Sequence, residues 1–385
     1  KYKTAYEDES NMSEVTINGE KYASIEDYLD SIKQLPEGAG KRFSKTKEYN
    51  DGTKTAWIPA GFTVSGIKNE TTIDGGLVIY DIPENELENI KWDETEKTKY
   101  NQFVWIPVEV NKATDTETSI ASFYRSEWSN NARTTGLSSN ITEPNATNDT
   151  VNKTGIASQI ENLTKSIYKY GGFYIGRYEA GSETERTSAI KATVTPIGIK
   201  QDMYPYNYVK WGDDIDTIGT VGAVYLSNSL YNSSDYGATS MLCTGACWDS
   251  MLDFIKDKEH NVTSSAIWGN YYNSDTYKVY RGMAYSNSAW SSANATNGTE
   301  ITQNRSILLT TGATERNSAK NIYDVAGNCD EWTTESGTSG NRVLRGGSCC
   351  KVSGYGNISA CYRGGSMTSY SSYDRGFRVS LYVNL

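Results

Sequence analysis

Histidine is nearly missing from this 385-residue chain: His260 is the only one. A Ser-His-Asp triad would have one imidazole to draw on, in a loop-like stretch, and any site needing several histidine ligands is excluded. No run of about 18 apolar residues occurs, so neither a membrane-spanning helix nor a secretory leader can be read. The chain begins at Lys1-Tyr2-Lys3-Thr4 with no initiator Met or charged, apolar signal region, and a removed leader is expected upstream. Basic charge is also short: 37 Lys and Arg against 47 Asp and Glu give a formal net charge of -10 and a pI near 4.9. This balance argues against nucleic acid as a partner, because that affinity comes largely from cations neutralising phosphates and no basic stripe is present. A phosphate-cradling glycine loop ending in Lys-Ser/Thr is absent as well.

Cysteine is present but sparse, at positions 243, 247, 329, 349, 350 and 361. A disulfide framework would be denser and more regular. Adjacent Cys349 and Cys350 strain a mutual bridge. Cys243 and Cys247 stand four apart on an expected helix and share a face there, but a structural zinc needs four ligands. Buried free thiols are the expected state. The length allows one large domain or two to three small ones, and a fold near 300 residues already buries roughly 75% of its extended surface.

Residues 1–50 read as an N-terminal helical segment and 51–385 as the main domain. In the first, Ser24 precedes Ile25, Tyr28, Leu29 and Ile32 at helical spacing, and Pro36-Glu37-Gly38 ends the run. Trp57-Ile58-Pro59, Gly76 to Tyr80 and Val104 to Pro107 read as strands. Residues 112–155 and 261–320, rich in Thr, Asn and Ser, read as long loops or insertions. Between them, Ile156, Ile160, Leu163 and Ile167 form one helical stripe. Gly171-Gly172 ends it, and Phe173 to Glu179 begin a strand. Trp248, Met251, Leu252 and Ile255 mark a second amphipathic helix. The last strand is expected to place Phe377, Val379, Leu381 and Val383 on one side and Arg378, Ser380 and Tyr382 on the other.

The end of the chain reads as a framework around an arbitrary filling. Arg342 to Gly347 and Asp374 to Arg378 have the alternation and turns a fold requires. Ser348 to Tyr373 has no helical or strand period. Ser, Gly, Tyr and Asn dominate it, the mixture antibody paratopes use, in which Tyr supplies rigid contact area and the small polar residues adapt hydrogen bonds. The residues assigned to a ligand-binding face are Cys349, Cys350, Ser353, Tyr355, Asn357, Cys361, Gly365, Ser366, Met367, Ser371 and Tyr373. Vicinal cysteines, an exposed methionine and paired glycines are poor structural choices.

Four motifs occur in order: Phe173 to Glu179, Asn321 to Trp332, Arg342 to Ser348, and Gly376-Phe377-Arg378. Over about residues 54–385 they resemble the formylglycine-generating-enzyme (sulfatase-modifying-factor) superfamily. The resemblance implies an α+β, C-type-lectin-like fold with short sheets, two helices and long irregular loops. Catalytic members of that superfamily hold two cysteines five apart that bind copper and react with a substrate thiol. Here Cys361 is followed by Ser366, which removes half of a paired-thiolate site, and no local activator of Cys361 is readable. The iron-binding sulfoxide synthases need histidines that this chain lacks.

The layout is similar to the variable proteins of diversity-generating retroelements, whose C-terminal lectin-fold segment is rewritten at codons containing template adenines. That resemblance implies a non-catalytic display protein that recognises a protein or glycan ligand on another cell, phage or host surface. A formylglycine-generating-type oxidase and a phage receptor-binding protein are the alternatives. In family members the turn at Asp324 to Trp332 holds calcium. Here Asp324 and Glu331 would supply carboxylates and Gly327 and Cys329 carbonyls, or Asp324, Asn328 and Glu331 satisfy buried backbone donors. Trp332 is expected in the core, and no cofactor beyond a structural calcium is expected. Glu20 to Leu29 resemble the stretch after the leader helix in pilin-like proteins of Gram-positive gut bacteria. That implies an extracellular, cell-surface location, pilus assembly, and membrane attachment only through an N-terminal segment outside this sequence.

Overall fold

The computed structural model describes residues 15–17, 20–22, 35–93, 95–134, 136–137, 141–144, 155–191, 193–212, 221–231, 235–337, 340–353 and 358–385. The helix expected over residues 25–32 lies outside them. The fold is α+β, mostly strands with few helices. Its principal strands are β1 (Lys47–Asn50), β2 (Thr55–Ile58), β3 (Thr63–Val64), β4 (Val78–Tyr80), β5 (Gln102–Pro107), β6 (Gly172–Gly176), β7 (Ala238–Leu242), β8 (Asp330–Ser336), β9 (Arg342–Arg345), β10 (Arg363–Ser366), β11 (Arg375–Phe377) and β12 (Val379–Val383). The helices are α1 (Thr95–Lys99), α2 (Ile156–Tyr170), α3 (Ala223–Ser229) and α4 (Gly245–Ile255). β1 and β2 form a hairpin across the 50/51 boundary, and Tyr49 already belongs to the main core.

A six-stranded sheet in the order β7-β12-β6-β5-β4-β3, antiparallel throughout, is the centre of the molecule. Side chains alternate across a strand, so each strand feeds two cores. Phe103, Trp105, Tyr174, Leu381 and Val383 enter one, and Val104, Ile106, Phe173, Ile175 and Tyr382 the other. Both faces are dry, which is why these strands are written as nearly unbroken apolar runs. Trp211 and α3 cover the first face together with Trp332, Leu344 and Phe377. Leu163 and Ile167 of α2 and Trp248, Met251, Leu252 and Ile255 of α4 cover the second.

The expected helical stripes are in place on α2 and α4, and the Gly171-Gly172 pair has two separate reasons. Gly171 sits at φ 75°, ends α2 and returns its N–H to the Ile167 carbonyl, a position that disfavours side chains. At Gly172 a Cβ would stand 2.4 Å from the Trp105 ring. Cys247 lies in the first turn of α4, but Cys243 precedes the helix at the end of β7, so the two do not share a helical face.

A smaller sheet, in the order β10-β9-β8-β11, has one parallel pair, β8 with β11. The terminal strand expected as a single run is split at Arg378, which carries the chain from β11 in the small sheet to β12 in the large one. The Arg378 guanidinium is fully buried. It grips Glu331 of β8 in a bidentate pair at 2.6 and 3.0 Å and donates to the Gly176 and Tyr323 carbonyls at 3.0 and 2.8 Å. One cation thus ties together both sheets and the turn before β8.

The stretches expected as long loops or insertions carry short strands. Glu127–Ser129 and Ala132–Thr134 pair around Asn130-Asn131, both at positive φ (49° and 60°), a turn whose twist matches a hairpin. Met283–Ser286 and Ala289–Ser292 pair around Asn287-Ser288 in the same way (51° and 63°). Leu308–Leu309 joins that second hairpin, and Val279, Ala284, Ile301, Ile307, Leu309 and Ala313 make a local core beneath it.

Arg378→Ala is expected to cost about 3–5 kcal/mol, because it leaves the Glu331 carboxylate buried and unpaired. Arg378→Met combined with Glu331→Leu should recover most of that loss. Urea denaturation followed by tryptophan fluorescence distinguishes the two, and equal losses in the single and double variants would contradict the arrangement.

Candidate functional site

The C-terminal segment rests on a floor of buried charge. Asp249 of α4 accepts from Arg345 at 2.8 Å and pairs with Arg363, while Glu335 of β8 meets Arg345 at 3.3 Å and Arg363 at 3.0 Å. Arg345, Asp249 and Glu335 are fully buried. Asp249 also accepts from the Ser126 N–H and the Trp128 indole, each at 2.9 Å, which brings in the 127–134 hairpin. Burial raises the Asp249 carboxyl, but Arg345 and Arg363 outweigh it and hold the group below the usual carboxylate range. A closed ring of two carboxylates and two guanidiniums fixes α4, β8, β9 and β10 mutually.

Above this floor the backbone of the filling is anchored while many of its side chains are free. Gly346 and Gly347, at φ 82° and 77°, turn the chain out of β9. A Cβ at either would stand 2.9 Å from Val325 or Ile358. Farther along, the carbonyls of Thr368, Ser372 and Tyr373 accept from the Trp211 and Tyr208 N–H groups and the Asn207 side chain at 3.0, 2.9 and 2.7 Å. β10 is an edge strand. Met367 is 63% exposed and Tyr370 48%, and Gly365 and Ser369 face solvent with them.

The assigned face is therefore partly assembled and partly not. Gly365 and Met367 are exposed, and Cys350, Cys361, Ser366, Ser371 and Tyr373 are half-buried at the surface. Cys349 is a correction: it is fully buried against Leu308 and Cys329, because its N–H bonds the Asn328 carbonyl and turns the side chain inward. Ser353 is buried too, its N–H and carbonyl both held by the Asn273 side chain at 2.7 and 2.9 Å. Tyr355 and Asn357 lie outside the described residues.

Sequence reasoning missed the aromatic neighbours. Tyr373 stands 6.1 Å from Tyr285, Tyr285 5.3 Å from Trp290, and Trp290 5.1 Å from Tyr204. These half-buried rings continue the face onto the 283–292 hairpin, and the Asn287-Ser288 turn was the available signal. Arg375 stacks over Tyr370 at 4.2 Å.

The turn assigned to calcium is spoken for by other partners. Glu331, with both oxygens on Arg378, is closed to a cation. Asp324 accepts from the Gly312 N–H at 2.7 Å, and the Asn328 side chain accepts from the Leu309 N–H at 3.0 Å, so these two satisfy buried backbone donors. Gly327 and Cys329 are held through their N–H groups by the Gly346 carbonyl and Glu179. Among the described residues, no group of three or more His, Cys, Asp or Glu side chains is placed to hold a metal ion. One Asp324 oxygen is buried without a hydrogen-bond partner, but with both Glu331 oxygens taken by Arg378 the turn does not offer calcium the two carboxylates assigned to it. Trp332 is fully buried, its indole donating to the Val209 carbonyl at 3.1 Å.

No family model and no curated protein matches the chain. Distantly similar solved structures include the following two. The crystal structure of CarF is 14% identical and covers 55% of this chain and 87% of its own, with a TM-score of 0.27. Treponema denticola variable protein 1 is 12% identical and covers 87% and 98%, with a TM-score of 0.24. Likeness of that size carries no conclusion about what this chain does.

Burial pushes Asp324 and Asp330 up to about 6. The folded chain therefore binds these protons more tightly than the unfolded one, whose Asp side chains titrate near about 3.9. The stability they contribute is complete below that value and is lost as pH rises through about 6. Asp249, depressed instead, loses its contribution only as pH falls below the unfolded value. Thermal unfolding is expected at higher temperature at pH 5 than at pH 7.5, and calorimetry showing the reverse order would overturn this reading.

Proposed function

We propose that this chain is a non-catalytic binding protein whose C-terminal segment, with the rings of the 283–292 hairpin, recognises a protein or glycan on another cell, phage or host surface. The observation that carries the reading is the separation of anchorage from display. Most of the charge that fixes the segment lies in the Arg345, Arg363, Asp249 and Glu335 ring, with Lys351 paired to Asp330 at 2.7 Å beside it, while Met367, Ser369 and Tyr370 project into solvent. A surface built so tolerates replacement of its displayed residues, which is what a retroelement-diversified variable protein requires.

A C-type-lectin-like fold of the formylglycine-generating type is part of the proposal. It is supported by the convergence of the sequence motifs: Arg378 bonds Glu331 and the Gly176 and Tyr323 carbonyls, and Glu179 accepts from Asn328. The oxidase alternative gains no support from Cys361, whose thiol rests 3.2 Å from the Ser359 hydroxyl and is raised by burial. Ser366, at the second thiol position, accepts a hydrogen bond from Arg375. Surface display, with attachment and pilus assembly through a preceding segment, belongs to the same proposal and rests on the N-terminal resemblance.

Sequencing the surrounding locus tests diversification directly. The expected finding is a near-copy of the coding stretch for residues 342–383, differing chiefly at adenines, beside a reverse-transcriptase gene, and its absence removes that hypothesis. At the protein level, Met367→Ser and Tyr370→Ala are each expected to change stability by no more than about 0.5 kcal/mol. Arg345→Met, which strips a partner from buried Asp249 and Glu335, should cost about 3 kcal/mol or more. Denaturation midpoints showing comparable losses for displayed and buried positions would refute the separation.

A further inference from the structure

Among the described ion pairs, lysine meets a buried carboxylate at two places. At the first, Lys97 stands 3.5 Å from Glu70, which already holds Arg177 at 2.7 Å. At the second, Lys351 meets Asp330, and no arginine joins them among the described pairs. The Lys351 ammonium lies 2.7 Å from Oδ2 of Asp330 and 2.9 Å from Oδ1. Two such distances set the nitrogen in front of the carboxyl carbon that joins the oxygens. Oδ2 is buried and makes no hydrogen bond despite the short distance, so the nitrogen approaches it off the lone-pair direction. The Tyr362 ring lies against the ammonium, its centre 4.7 Å away. Both backbones are held: the Lys351 N–H donates to the Ser348 carbonyl at 3.0 Å, the Lys351 carbonyl accepts from Tyr272 at 2.9 Å, and the Asp330 N–H donates to the Asp374 carbonyl at 2.8 Å.

We propose that Lys351 and Asp330 become joined by an intramolecular amide, a self-modification that staples the start of the filling to β8. The ammonium passes a proton to the Asp330 carboxylate, and the freed Nζ lone pair attacks Cγ. The new nitrogen–carbon bond forms as one carbon–oxygen bond breaks. The departing oxygen leaves as water, carrying the proton it received and a second one from Nζ. One ammonium and one carboxylate thus become one neutral amide and one water, and no oxidant, reductant or cofactor enters.

In water an amine and an acid resist this condensation, because two molecules must be brought together and two hydrated charges given up. The site removes both obstacles. Well-oriented intramolecular reactants reach effective concentrations on the order of 10⁵–10⁸ M, provided the reacting atoms stand about 3–3.5 Å apart. An ammonium facing both carboxyl oxygens at 2.7 and 2.9 Å meets that condition, and the pinned backbones keep it there. Burial of Asp330 also withdraws the water that would otherwise favour the ion pair over its neutral form. The exposed pairs, such as Lys54 with Asp74 and Lys99 with Glu86, keep their hydration and lack this drive. The amide closes a loop across 21 positions and ties the 348–351 turn to the small sheet.

Intact-mass analysis of the folded, purified chain, with peptide mapping to place any bond, tests the proposal. The expected mass is one water below that of the sequence, and the peptides carrying Lys351 and Asp330 are expected as one branched species. Lys351→Arg, which keeps the ion pair but has no amine to form this amide, is expected at its full sequence mass, as is Asp330→Ala. Circular dichroism confirms that each chain is folded. Native protein at full sequence mass, a water lost at any other position, or the same loss in Lys351→Arg would overturn the proposal. None of these outcomes depends on which macromolecule the face recognises.

Discussion

The bidentate pair between Arg378 and Glu331 is the constraint on which the rest of the architecture depends. It sits where the chain leaves the small sheet for the large one, and its other donors reach the Gly176 and Tyr323 carbonyls. Neither charge sees water, so each is tolerable only while the other is in place. Such a pair specifies geometry more than it adds net stability. With it intact, Phe377 enters the first core from the end of β11, while Val379, Leu381 and Val383 enter it from β12.

A second buried ring, Arg345 and Arg363 with Asp249 and Glu335, repeats the device one layer outward. Fixed charges below, and hydrogen bonds to its carbonyls from the Asn207 side chain and the Tyr208 and Trp211 N–H groups alongside, hold the segment after β10. Few displayed side chains are asked to hold anything. Anchorage and exposure are thereby assigned to different atoms of the same segment, and its exposed side chains are left largely free of the packing that holds the fold. Cys349 marks the limit of that freedom, since its side chain is packed although its neighbour Cys350 reaches the surface.

Much of this was legible in the linear chain where a period was strong. The Ile156 to Ile167 stripe, the Gly171-Gly172 stop and the apolar runs at 104–107 and 173–175 correspond to α2 and two central strands. The 127–134 and 283–292 hairpins were not legible, because three- and four-residue strands with one wet face carry too short an alternation. Their Asn-Asn and Asn-Ser turns were the signal available. Among the proposed site residues, exposure was readable for Met367 but not for Cys349, whose direction is set by a hydrogen bond to the carbonyl of Asn328, 21 residues earlier.

By itself, then, the sequence determined the motif order, the helices with a clear stripe, the shortage of histidine, and the contrast between framework and filling. Only the tertiary structure decided which carboxylate meets which arginine, that Glu331 is taken by Arg378 rather than left for a cation, and that Tyr285, Trp290 and Tyr204 extend the face. The reason is physical. Local pattern encodes what a residue does with its near neighbours, whereas a buried charge finds its partner far along the chain, as Asp249 does with Arg345 across 96 positions.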